Sequence, residues 1–187
     1  MNSYLLGAHG GGKSTMAVEL CLEKGCKVYL IAASPEQKDK KTGVLTFPRH
    51  FIRTNINALV KEITVKENGR EVRKLIPAVR NCCILVDDSS DMMLNWKLYL
   101  PLLKEFRQYG LDIYATFHAY NLIPPKLVSY GTVLYCFRTN SRIPYGSAFA
   151  YPKEMEAARQ YIQQYGDEHS FYIVNNITGK VSVCLKK

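Results

Sequence analysis

Leu5-Leu6-Gly7-Ala8-His9-Gly10-Gly11-Gly12-Lys13-Ser14-Thr15 decides the architecture of this chain. From Gly7 to Ser14 it matches the phosphate-loop pattern G-x-x-x-x-G-K-[ST], and its flanks supply the context that pattern needs. Ser3–Leu6 is a short apolar strand before the loop, and Met16, Ala17, Leu20 and Cys21 recur after it at helical spacing, with Gly25 closing the helix. Strand, glycine-rich turn and helix together aim backbone N–H groups and a helix N-terminus at negative charge. Gly7, Ala8, His9, Gly10, Gly11, Gly12, Lys13, Ser14 and Thr15 are therefore the candidate triphosphate-binding set. Lys13 would reach the β- and γ-phosphates, and the Ser14 hydroxyl would ligate Mg2+. A glycine-rich turn with a stray lysine is the bland alternative. Average residue usage makes a chance match in such a chain on the order of one per cent, before context is counted.

Cys82-Cys83-Ile84-Leu85-Val86-Asp87-Asp88 is the natural second half of the site. An apolar strand ending in carboxylates would set Asp87 beside the loop to hold magnesium, directly or through water, and Asp88 to orient and deprotonate the attacking water. Glu usually does the latter, and Asp88 is one methylene shorter. Without the loop, Asp88, Ser89, Ser90 and Asp91 would read only as helix-capping residues. A third stretch, Phe106–Pro125, holds a strand ending in Thr116 and His118, polar groups suited to sensing the γ-phosphate.

The order of these pieces resembles the FtsK–HerA superfamily of ring-forming, DNA-pumping ATPases, which includes viral genome-packaging ATPases. The resemblance rests on the loop, Asp87-Asp88, the helix ending Arg107-Gln108-Tyr109-Gly110, the strand with Ala115-Thr116, and Ile123-Pro124, over residues 3–138. It implies a RecA-like P-loop NTPase fold, ATP and Mg2+ as bound groups, and nucleic acid, above all double-stranded DNA, as cargo. It also implies self-association into a ring, a hexamer, with capsid proteins as further partners, in the host cytoplasm or on the virion. The family supplies an arginine finger from the neighbouring subunit; Arg107 matches that position, with Arg138 and Arg142 as alternatives. Where the family has Gln after Ala-Thr, this chain has Phe117 and then His118.

Composition agrees with one soluble domain spanning 1–187. The chain has 187 residues, 47 % hydrophobic and 22 % charged, enough for one full-sized core. Its net charge of +9 favours polyanionic partners. Lys38, Lys40, Lys41, Arg49 and Arg53, with the tail Lys180, Lys186 and Lys187, are the candidate phosphate contacts. Six cysteines without a C-x-x-C pair read as reduced, mostly core thiols. No apolar run is long enough for a membrane span.

Along the chain, strands are expected at Cys26–Ala33, within Leu45–Thr54, and at Cys82–Val86, Leu111–Phe117 and Val133–Phe137. Helices are expected over Asn55–Lys66, from Ser90-Asp91 to Tyr109, and from Pro152 to Gln164. A terminal hairpin follows around Asn175–Gly179. The alternation predicts an α/β fold: a mostly parallel central sheet with helices on both faces and a C-terminal β-hairpin. Two other functions fit a P-loop of this length. A nucleotide or small-metabolite kinase would need an arginine-rich lid; Arg138–Arg142 could be forced into that role, but the strand ending Val86-Asp87-Asp88 and the sensor-like strand after it fit a hydrolase better. A nucleotide-gated binding module would bind ATP without turnover.

Overall fold

Near-continuous apolar runs become strands because both faces of the sheet are covered. The computed structural model describes residues 1–8, 10–32, 47–87, 90–143 and 148–186. The readings at His9, Lys38, Lys40, Lys41, Asp88 and Lys187 lie outside the described residues. The elements in chain order begin with β1 (Asn2–Leu6), α1 (Lys13–Glu23), β2 (Lys27–Ala32), β3 (Ile52–Arg53), β4 (Val60–Glu67) and β5 (Arg70–Pro77). β6 (Cys82–Asp87), α2 (Ser90–Leu94), α3 (Trp96–Tyr109), β7 (Leu111–Phe117) and α4 (Pro125–Val128) follow. The chain closes with β8 (Val133–Phe137), α5 (Pro152–Tyr165), β9 (Phe171–Asn175) and β10 (Val181–Cys184).

Among the described residues, eight strands form one sheet in the order β10-β9-β8-β1-β7-β6-β2-β3. Pairing is parallel from β8 to β3 and antiparallel for β8–β9 and β9–β10, so the terminal hairpin extends a parallel sheet. Side-chain alternation divides the core between the two faces. Leu5, Cys83, Leu85 and Tyr114 pack with Ala17, Val18 and Cys21 of α1. Tyr4, Leu6, Ile84, Val86, Ile113 and Ala115 pack on the other face with Tyr99, Leu102 and Leu103 of α3. The strand β1 is further pinned by polar bonds: the Asn2 amide donates to the Leu103 and Tyr130 carbonyls (3.0 and 3.1 Å), and the Tyr4 hydroxyl to the Leu127 carbonyl (2.8 Å).

Two helices differ from the sequence expectation. Asn55–Lys66 is not a helix: a single 3-10 turn, Ile56–Leu59, capped by the Asn55 side chain, leads into β4. The β-branched run Ile63-Thr64-Val65 favours a pleated strand. Asn68 (φ 52°) and Gly69 (φ 79°) then supply the paired left-handed residues of a hairpin turn whose twist suits the flanking strands. The helix expected from Ser90 to Tyr109 is broken at Asn95, which adopts φ −108° and ψ 24°. Its amide donates to the Asp91 carboxylate (2.9 Å), which also accepts from the Tyr99 hydroxyl, locking the corner between α2 and α3.

Candidate functional site

The glycine-rich loop leaves the carboxyl end of β1 at the centre of the sheet, with β7 on one side and β8 on the other. Open α/β sheets present their ligand crevice at this end of the strands. Gly7 donates to the Phe117 carbonyl (3.1 Å) and Ala8 to the Arg138 carbonyl (3.4 Å), anchoring the loop to both neighbours. Gly7 has φ 146°, and a Cβ there would meet Phe137 Cβ at 2.7 Å, so only glycine passes between the strands. At the far side of the loop, α1 begins at Lys13 without a side-chain cap and without acidic residues in its first turn, as an anion site requires. The Lys13 side chain is buried, and its Nζ donates to the Ala8 carbonyl at 2.5 Å, spanning the loop.

Strand parity brings the next two residues in. Asp87 continues the Cys83–Leu85 side of β6 and Thr116 the Tyr114 side of β7, so both face α1. The parallel register, with Val86 beside Ala115, sets them next to each other. Asp87 Oδ1 accepts from Ser14 Oγ at 2.7 Å and from Thr116 Oγ1 at 3.0 Å. Asp87 and Thr116 are each 2 % exposed, so two hydroxyls orient a nearly dry carboxylate. His118 follows β7 and is half-buried.

Hard oxygen donors on Ser14 and Asp87 fit Mg2+, which keeps few protein ligands and completes its shell with phosphate oxygens and water. No group of three or more His, Cys, Asp and Glu side chains suited to a metal occurs among the described residues.

The arginines divide by position. Arg107 lies exposed in the last turn of α3, at the amino end of β7, while the loop bonds to Phe117 at that strand's carboxyl end. Seven strand residues put it about 20 Å from its own loop. Arg138 lies beside its own loop, donating to the Gln163 and Gly166 carbonyls (3.2 and 3.1 Å) at the end of α5. Arg142 is exposed.

Two clefts flank the loop. One of about 310 Å³ is lined by Ala8, Gly10, Gly11, Arg138, Thr139, Asn140 and Glu168. The other, about 230 Å³, lies between Thr15, Met16 and Glu19 of α1 and Phe137, His169 and Lys186. Thr139, Asn140, Glu168 and His169 carry no motif; strand order alone brings the β8 exit and the β9 approach beside β1. Lys186, grouped in sequence with a basic tail, lines the second cleft. The β8 exit is held from behind. Arg159 makes two bonds to Glu156 (2.6 and 2.8 Å), and Gln163 donates to the Thr139 carbonyl (2.8 Å).

This arrangement defines a P-loop NTPase fold: a parallel sheet with the loop at its central strand, the acidic strand two positions away and a terminal hairpin. Among solved structures, the chain is similar to the genome-packaging NTPase B204 of Sulfolobus turreted icosahedral virus 2 bound to ATP-gammaS. The TM-score is 0.59 at 10 % identity, covering 97 % of this chain and 95 % of that one. The sulfate complex of the same protein gives 0.60, with 10 % identity over 97 % and 94 %. B204 of Sulfolobus turreted icosahedral virus, a DNA-packaging ATPase, gives 0.59, with 9 % identity over 100 % and 98 %. At such identities the likeness is one of fold. No protein-family model matches the chain, and no curated protein matches it in sequence. Among the described residues, no helix is long and apolar enough to cross a membrane.

Proposed function

We propose that this chain is an ATP-hydrolysing motor that translocates nucleic acid, of the genome-packaging kind, acting as a ring of copies. The observation that carries the hydrolytic part is the convergence of Ser14 and Thr116 on the Asp87 carboxylate at the mouth of the phosphate loop. The loop amides and the α1 N-terminus receive the β- and γ-phosphates. Lys13 exchanges its bond to the Ala8 carbonyl for phosphate oxygens. Ser14 and Asp87 would hold Mg2+, which supplies charge neutralisation across those oxygens. Asp88 takes a proton from the water that attacks the γ-phosphorus, and the bond to the β–γ bridging oxygen breaks, leaving ADP and phosphate. Thr116, bonded to Asp87, relays whether the γ-phosphate is present, with His118 two residues further on.

Support for the motor comes from the fold shared with packaging NTPases across nearly the full length of both chains. The net charge of +9 suits a polyanionic cargo. The distance of Arg107 from its own loop suits a finger that completes the site of a neighbouring copy, which a ring provides. A kinase lid is disfavoured, because the Arg138 guanidinium is held by the carbonyls of Gln163 in α5 and of Gly166 just after it.

The test is an ATPase assay with and without double- and single-stranded DNA, run beside a measurement of particle size. Turnover that rises with DNA and with assembly supports the motor. Phosphate transfer to a nucleotide acceptor without any DNA effect overturns it, and ATP binding without turnover leaves only a gated binding module.

A further inference from the structure

β4 and β5 form a two-stranded ribbon outside the main sheet, eight residues per strand and exposed along most of its length. Its base is anchored through Val60 on the main core, and the rest of the ribbon stands in solvent. We propose that its outward face binds the phosphate backbone of a duplex nucleic acid. This rests on the nucleic-acid reading above and names a surface for the cargo.

Residues directly opposite in an antiparallel pair share a face. The register pairs Val60 with Pro77, Ile63 with Lys74, Val65 with Val72 and Glu67 with Arg70. The face holding Val60 and Pro77 turns toward the body only at its base, where Val60 packs on the main core and Pro77 is buried; beyond it Glu62, Lys66, Glu71 and Arg73 are exposed. Along it the charges cancel: Lys66 and Arg73 stand against Glu62 and Glu71, with Arg73 Nη1 3.4 Å from Glu62 Oε1.

The opposite face carries Lys61, Arg70 and Lys74, all exposed, against the single carboxylate of Glu67. On the same face Val65 lies opposite Val72, Ile63 opposite Lys74 and Ile76 opposite Lys61, and such cross-strand pairs stiffen the ribbon. Lys61 and Arg70 stand six residues apart along the ribbon, roughly 20 Å. A duplex presents a phosphate charge about every 1.7 Å of its axis, and its major groove, about 12 Å wide, admits a two-stranded ribbon. Two copies meeting through this face would set like charges together; a polyanion meets no such penalty. Contacts of this kind read no bases, as suits a motor that moves along any sequence.

The test compares two double variants in the full chain, each removing two cations: Lys61→Gln with Lys74→Gln on the outward face, and Lys66→Gln with Arg73→Gln on the inward one. Binding to a duplex of random sequence is measured over a range of salt, with ATP turnover in the absence of DNA as the control. The outward pair should weaken binding on the order of tenfold or more at about 0.1 M salt and reduce the salt slope by about 1.8, near 0.9 per lost contact. The inward pair should leave the slope nearly unchanged, and basal turnover should survive in both. Equal losses from the two pairs would show an effect of net charge and overturn the assignment, as would unaltered binding by the outward pair. A shift in particle size without a change in DNA binding would make the ribbon a contact between copies instead. If the unmodified chain binds no nucleic acid, the cargo reading itself fails, and the ribbon assignment with it.

Discussion

The Ser14 hydroxyl donates to the Asp87 carboxylate at 2.7 Å across 73 residues of sequence. A residue of the glycine-rich loop and the last residue of β6 are therefore joined directly by a hydrogen bond. Asp87→Asn keeps the shape and removes the charge that would face Mg2+. We expect turnover to fall at least about a hundredfold, since the effect falls on a charge-stabilising group in a dry site. Magnesium-dependent nucleotide affinity should fall too, measured with a fluorescent ATP analogue, while the melting temperature stays near its original value. Ordinary turnover in the Asp87→Asn variant would remove Asp87 from the site.

Thr116 offers a narrower test, because Thr116→Val is close in shape and lacks the hydroxyl that donates to Asp87 at 3.0 Å. Nucleotide binding should change little while turnover drops, and Thr116→Ser should restore most of it. If valine and serine behave alike in steady-state kinetics, the hydroxyl has no part in the reaction.

Gly7 is the structural counterpart. With φ 146° and Phe137 Cβ 2.7 Å from a would-be side chain, Gly7→Ala must push β1 and β8 apart or reshape the loop. A cost of about 1–3 kcal/mol is expected from strain of this kind. In a chain of this size that lowers the melting temperature by several degrees, at about 2–4 °C per kcal/mol. Triphosphate affinity should fall with it. Thermal melts with and without nucleotide separate the two effects.

Acid should act on the wall of the first cleft through Glu156. The two hydrogen bonds from Arg159 hold its carboxyl below the ordinary value of 4.5. A carboxyl depressed in the folded chain contributes stability that is present above its unfolded value and is lost as the pH falls through the lower folded value. The melting temperature of Glu156→Gln should therefore lie below that of the unmodified chain near neutrality. The gap should close as the pH is lowered below the ordinary carboxyl value of 4.5 and through the depressed folded value. A gap that is constant with pH would mean that the charge of Glu156 contributes nothing.

Arg107 is tested by mixing. Lys13→Ala and Arg107→Ala chains should each be inactive alone. Random mixing into a ring pairs an intact loop with an intact arginine at about a quarter of the interfaces, which sets the activity recovered. No recovery, with rings still forming, would assign the finger elsewhere.

Much of the parallel sheet was legible because buried strands leave apolar runs ending in polar tips, as in Cys82–Asp87. The ribbon was not: Asn55–Lys66 is charged and only partly apolar, and its strand periodicity became visible through the Asn68-Gly69 turn that pairs β4 with β5. The break at Asn95 depends on a local contest, settled by the Asp91 carboxylate gathering Asn95 and Tyr99.

By itself, the sequence determined the phosphate loop and its strand–turn–helix setting, since spacing and glycine content are local properties of the chain. It also named Asp87 and Thr116, each at the end of an apolar strand. Only the tertiary structure decided that the two lie side by side on the α1 face, because that follows from strand order and register. The same holds for the cleft walls at Thr139, Asn140 and His169, and for the separation of Arg107 from its own loop. Local chemistry is written along the chain, whereas adjacency is created by which strands pair, and pairing is a property of the whole sheet.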